Sequence, residues 1–184
     1  TATFVRCAFL SNVAGEGGAI SVSLAGAVIA DGRFLTNSAV TGDGGAILSV
    51  GGRPTLMNCE LAWNTARGGG AMLVSCCNQA DVSNCTLVGN YASTRTGGVR
   101  VGSGGSLTLV NSILSDNSDG FGLNQSAQVQ GADGTSLITI DHCLVTGAQL
   151  LAMVRAREDQ PARANEIADV LLNTVGAVTG WDNP

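Results

Sequence analysis

Apolar positions in this chain recur at a step of 25 to 27 residues, and within each step they alternate with polar ones in short runs. Aligned on asparagine, successive copies place Asn12, Asn37, Asn64, Asn90 and Asn117 in one column. Five positions earlier stand Cys7, Gly32, Cys59, Cys85 and Ser112, and two residues after these come Phe9, Phe34, Leu61, Leu87 and Leu114. A further apolar column, Phe4, Ile29, Leu56, Val82, Leu109 and Ile140, precedes the cysteines by three, and an incomplete sixth copy ends in Cys143 and Val145. After each of the first four asparagines come an alanine two residues on (Ala14, Ala39, Ala66, Ala92), a gap of variable length, a diglycine and an apolar residue such as Ile20 or Met72.

Each copy therefore reads as three short strands of period 2 separated by turns, with no segment long enough for a buried helix. One copy cannot bury its apolar face alone, whereas stacked copies lay every strand on its equivalent in the next coil. The pattern predicts an all-β parallel solenoid of five to six coils over residues 1–147. In it the asparagines stack at one corner, where their amides can bond one another and the turn backbone. The diglycines supply tight corners with positive φ. A threonine row at Thr3, Thr55, Thr108 and Thr139 is interrupted by Val28 and Asp81.

The stretches CAFLSNVAGEGGAI (Cys7 to Ile20) and CELAWNTARGGGAM (Cys59 to Met72) share the pattern CxFxxNxAxxGGAI in whole or in part. In this the chain resembles the parallel β-helix repeats of the pectin-lyase-like superfamily, above all those of bacterial secreted and surface proteins, including polymorphic outer-membrane and autotransporter-type passengers. The resemblance covers about residues 1 to 147. It implies a right-handed β-helix and an extracellular or cell-surface location. For activity it implies a choice: the superfamily holds structural rods and adhesins as well as polysaccharide lyases and glycoside hydrolases.

Charge narrows the partners. The net charge is −5, and all nine cationic residues are arginine, so no basic patch awaits nucleic acid or an anionic membrane. No apolar run approaches the length of a transmembrane helix, so this segment is not expected to insert into a membrane. The chain opens at Thr1 already in register with the repeat, which suggests a mature segment or excised fragment whose open coil end is covered from outside. Polysaccharide or a surface protein remain as expected partners. Small apolar residues on the outward faces, Leu10, Leu35, Ala62 and Val88 on one and Ala19, Ala46, Leu48, Ala71 and Leu73 on another, suggest an oligomer or a covering segment.

Of the cysteines, Cys7, Cys59, Cys85 and Cys143 fall in an inward column, where a thiol serves as a small apolar filler. Cys59 and Cys85 stack on adjacent coils, as a thiol ladder or as a bridge. Cys76 and Cys77 lie in a loop, where they could bridge to each other or to a partner; for zinc they lack a second CxxC or a histidine cluster.

Catalysis has to come from outward positions, since the inward ones are packed. A lyase would need carboxylates clustered for calcium and a basic residue to abstract a proton; a hydrolase would need two or three close carboxylates. The first outward face offers Arg33 and Glu60 on adjacent coils, which are expected to form a surface ion pair. Asp116 and Asp119 could join Asp133 at a cation, calcium being the one cofactor an enzyme here would need; no other cofactor and no resident metal is expected. Asp141-His142-Cys143 holds the residue types of a nucleophilic triad, but consecutive strand residues point to opposite faces, and His142 takes the corner position of Asn58, Asn84 and Asn111. The best reading is a non-catalytic structural or adhesive module, with a polysaccharide lyase or glycoside hydrolase as the alternative.

After Gly147 the pattern changes. Ala148 to Asp159 and Ala164 to Leu172 have helical spacing, with Pro161 between them and Trp181 near the end. Residues 148–184 are expected to form a capping segment, helical or extended, over the last coil.

Overall fold

The computed structural model describes residues 1–75, 78–123 and 125–146. The expected chemistry of Cys76 and Cys77 and the expected cap over residues 148–184 lie outside the described residues.

The described chain is a parallel β-solenoid whose first four coils each contribute four strands rather than three. The first coil holds β1 (Ala2–Val5), β2 (Ala8–Leu10), β3 (Val13–Ala14) and β4 (Ile20–Ser23). The second holds β5 (Gly26–Ala30), β6 (Arg33–Leu35), β7 (Ser38–Ala39) and β8 (Ile47–Val50), and the third β9 (Arg53–Met57), β10 (Glu60–Ala62), β11 (Thr65–Ala66) and β12 (Met72–Val74). The fourth holds β13 (Gln79–Ser83), β14 (Thr86–Val88), β15 (Tyr91–Ala92) and β16 (Val99–Val101). In the fifth, β17 (Ser106–Val110) and β18 (Ile113–Ser115) are followed by a one-turn helix, α1 (Gln125–Gln128), and β19 (Val129–Gly131). A sixth coil begins with β20 (Leu137–Asp141) and β21 (Leu144–Val145).

Each strand pairs in parallel with its equivalents, giving the sheets β1-β5-β9-β13-β17-β20, β2-β6-β10-β14-β18-β21, β3-β7-β11-β15 and β4-β8-β12-β16-β19. The third sheet is the one the alternation does not reveal. Its strands are two residues long, too short to print a period, and each turns only one small side chain inward, Ala39, Ala66 and Ala92 being buried.

Registers match the columns of the repeat. Ile29 lies opposite Leu56, Leu56 opposite Val82, and Val82 opposite Leu109, all buried. Phe34, Leu61, Leu87 and Leu114 form a second buried column. Each such side chain stabilises the stack by about 1.5–3 kcal/mol relative to exposure. At the first coil the filling is aromatic: Phe9 stacks on Phe34 with centroids 4.6 Å apart, and Phe4 meets Phe9 edge-on at 5.7 Å. The outward row Thr3, Val28, Thr55, Asp81, Thr108, Thr139 is continuous in register across the first sheet.

Two features differ from the expectation. The two glycines of each diglycine do different jobs. Gly17, Gly44 and Gly69 turn the chain at φ of 56°, 71° and 61°. The second glycine instead lets coils approach: a Cβ on Gly18 or Gly45 would come within 2.1 Å of the carbonyl oxygen of Gly45 or Gly70, respectively. In the fourth coil Gly97 holds this second place, because Met72 pairs with Val99, and Thr96 stands where the turning glycine stood. Second, the outward strip Ala46, Leu48, Ala71 and Leu73 is buried. The positive-φ glycine turns fold the preceding loops back across β8 and β12, so that a Cβ on Gly44 would lie 2.9 Å from Leu48 Cα and one on Gly69 3.0 Å from Leu73 N. That strip is therefore not a free face. In the other strip Leu10 is exposed, Leu35 and Val88 are half-buried, and Ala62 is buried.

Candidate functional site

Two corners of each coil are made by residues in the left-handed region. Arg6, Asp31, Asn58, Asn84, Asn111 and His142 form one such column, with φ between 48° and 54°. Ser11, Thr36, Trp63, Gly89 and Asp116 form the other, with φ between 52° and 63°. A non-glycine residue held there costs about 1–2 kcal/mol, and behind each corner runs a polar ladder.

Behind the second column stand the asparagines. Asn64 Nδ2 donates to Asn90 Oδ1 and to the Phe34 carbonyl, both at 2.9 Å, while its own Oδ1 accepts from the backbone N and the Nδ2 of Asn37, also at 2.9 Å. The same four bonds recur at Asn37 and Asn90, so a fully buried amide is satisfied on every side. Asn117 closes the series on Gln128: its Nδ2 donates to Gln128 Oε1 at 2.7 Å, and Gln128 Nε2 donates back to the Asn117 carbonyl at 2.8 Å. Gln128 was missed because it breaks the period, reaching the ladder from α1 with a longer side chain.

Behind the first column the cysteines do the same. Cys59, Cys85 and Cys143 donate their thiol protons to the Met57, Ser83 and Asp141 carbonyls at 3.1–3.2 Å, and Ser112 Oγ donates to Val110 at 2.8 Å. In turn Cys59 N donates to Cys85 Sγ, Cys85 N to Ser112 Oγ and Ser112 N to Cys143 Sγ. Cys7, Cys59, Cys85 and Cys143 are free thiols, so between a bridge and a thiol ladder the structure has the ladder. Burial pushes the Cys143 thiol up from its ordinary range.

The sequence-predicted outward residues are placed as follows. Arg33 and Glu60 lie opposite each other on β6 and β10 and form an exposed ion pair, Nε to Oε2, at 2.8 Å. Asp116, exposed at its corner, accepts from Ser115 Oγ at 2.9 Å, and Asp119 is buried and accepts from the Phe121 amide at 2.8 Å. Asp133 binds elsewhere: hydrogen bonds from Ser103 Oγ, then from Thr135 Oγ1 and N, hold its carboxyl below the usual carboxylate range. Among the described residues no three acidic, histidine or cysteine side chains gather to hold a metal ion. One expectation needs correcting. Asp141 and His142 do meet, Oδ1 to Nδ1 at 2.8 Å, although consecutive strand residues are expected to point apart; His142 holds the corner position expected for it, at φ 52°. Cys143 is buried behind them.

Two surface features escaped the sequence reading. Trp63 holds a left-handed conformation although it is bulky, is 56% exposed, and lies against Gly89, where a Cβ would come 2.7 Å from Cδ1 and 2.8 Å from Nε1 of the indole. Two residues beyond Gly89, the exposed Tyr91 lines a shallow groove of about 270 Å³ together with Ser38, Thr65, Arg67 and Ser93. A second cleft, of about 420 Å³, is lined by Arg95 of the β15–β16 connection and by Arg100 of β16. Burial, and then the neighbouring Arg95 charge, pull the Arg100 guanidinium down from its ordinary value, while Asp43 pulls the other way.

The family model described as a right handed beta helix region matches residues 2–158. Neither a curated protein nor a solved structure matches the chain.

Proposed function

We propose, for a chain that belongs to the right-handed β-helix family, the role of a non-catalytic structural or adhesive module of a secreted or cell-surface protein, one that holds a carbohydrate chain at the Trp63–Tyr91 corner. The observation that carries the reading is Trp63 itself. The other described members of its corner column are Ser11, Thr36, Gly89 and Asp116, so a strained, exposed indole there is not required by the turn. Backbone strain maintained at an exposed aromatic supports a role in binding. Tyr91 lines a groove with Ser38, Thr65 and Ser93, which sets a phenol next to hydroxyls, and the exposed indole lies against Gly89, two residues before Tyr91; an apolar plate next to hydrogen-bonding groups suits a sugar ring. The non-catalytic part is supported by how polar side chains are used: the asparagine and cysteine columns bond within the stack, and Arg33 and Glu60 bond each other.

The test is binding and turnover on a panel of neutral and acidic polysaccharides, with calcium and with chelator. Binding without release of reducing ends or unsaturated products, weakened about tenfold by Trp63→Ala and by Tyr91→Ala at unchanged thermal stability, is the expected result. Calcium-dependent cleavage would overturn the non-catalytic role, and binding indifferent to both substitutions would overturn the site.

A further inference from the structure

The outward row of the fourth sheet changes character along the stack. In register it runs Ser21, Leu48, Leu73, Arg100, Gln130, so a guanidinium follows two buried leucines. Arg100 is half-buried, and Arg95 reaches the same cleft from the loop at 93–98. Among the described residues neither arginine side chain makes a hydrogen bond or an ion pair. Two like charges beside each other, one of them partly desolvated, are unfavourable without a counter-charge. The protein supplies little of it. Asp43 attracts Arg100 without bonding it, and the one carboxylate lining the cleft, Asp119, is buried and accepts from the Phe121 amide.

We propose that this cleft is a binding site for a ligand carrying an oxyanion, with Arg95 and Arg100 as its anion-holding pair. Guanidinium forks match the oxygens of carboxylate, sulfate and phosphate alike. Thr94, whose hydroxyl donates to the Arg67 carbonyl at 2.7 Å, lines the cleft from the Arg95 loop, and Ser126 lines it from α1. One further donor faces it. Gln130 accepts from Thr96 Oγ1 at 3.0 Å through Oε1, which leaves its amide nitrogen as a donor. A cleft of about 420 Å³ is larger than a bare oxyanion needs, and Phe121, 87% exposed, lies at its rim as an apolar plate. The site therefore suits an oxyanion attached to a ring-sized body. It shares no lining residue with the groove at Tyr91, so the two sites stand or fall separately.

The experiment is an NMR titration of the full chain at low ionic strength with glucuronate, glucose 6-phosphate, sodium sulfate and, as the neutral control, glucose. Expected are saturable shifts of the cleft residues with the charged sugars, absent there for glucose, that weaken at least tenfold in Arg95→Gln/Arg100→Gln and are retained in Arg33→Gln. Arg95 is exposed on a loop, so Arg95→Gln alone serves if the double variant does not fold. Tighter binding of the charged sugars than of sulfate identifies an oxyanion on a larger ligand; equal binding identifies a free oxyanion, and both uphold the anion site. Shifts that sodium chloride reproduces, no saturation with any charged probe, or equal affinity in the folded Arg95→Gln variant would overturn it.

Discussion

The asparagine corner and the connection between the third and fourth sheets are built from the same repeat, yet they obey opposite rules. At the corner every coil bends through one left-handed residue, and the next side chain is an amide whose donors and acceptor are all matched, from Asn37 through Asn90. The connection runs over residues 15–19, 40–46, 67–71 and 93–98, so its length changes from coil to coil, and its side chains include Glu16, Asp43, Arg67 and Arg95. Where the backbone must bend identically, one residue type satisfies it, and substitution leaves buried groups unpaired. Where the loop length varies, side chains are released from the stack and can meet something else. Both candidate binding clefts draw residues from that second region.

The contrast can be broken at its boundary first. Gly45 anchors the variable connection to the stack, and an added Cβ would strike the Gly70 and Thr65 carbonyl oxygens at 2.1 and 2.6 Å. Gly45→Ala is expected to cost about 5 kcal/mol or more, an exceptional loss for one methyl group, read as collapse of the urea midpoint. Next comes the corner itself. Asn64→Leu leaves the Asn37 amide and the Phe34 carbonyl without partners and should destabilise by about 3–5 kcal/mol, measured by chemical unfolding at unchanged slope.

These two positions also show what the sequence makes legible. Asn64 recurs in the first five copies and Gly45 in the first four because a fixed geometry admits few residue types, so the coil number, the registers and both ladders can be read from spacing. The burial of Leu48 and Leu73 cannot, since it depends on loops that fold back across the strands. Gln128 completes the asparagine ladder from a helix that departs from the repeat. Arg95 and Arg100 converge from a loop and a strand, and the lining from Phe121 to Ala132 belongs to the next coil, where the third strand is replaced by an isolated pairing of Ser118 with Tyr91 and by α1. Period reveals what repeats. Sites made where the repeat fails leave no period behind.

Smaller effects sharpen the outer side of the comparison. Arg33→Ala removes an exposed ion pair and should cost only about 0.5 kcal/mol, less still in high salt. Smaller again is the response of Asp133 to acid. Its carboxyl is held below the ordinary range by Ser103 and Thr135, so its contribution is complete above that range and is lost as pH falls through the lowered value. The amide signals of Gly104 and Thr135, which are bonded to this cluster, should shift at acid pH before the core signals do, and Asp133→Asn should abolish that early shift.

The central claim is that the asparagines act as a connected ladder rather than as separate turn residues, and a double-mutant cycle in chemical unfolding tests it most directly. Asn37→Ala with Asn64→Ala, neighbours joined by two hydrogen bonds, should show a coupling of about 1–2 kcal/mol, and Asn12→Ala with Asn117→Ala, far apart in the stack, less than about 0.5 kcal/mol. Coupling near zero for both pairs would contradict the ladder.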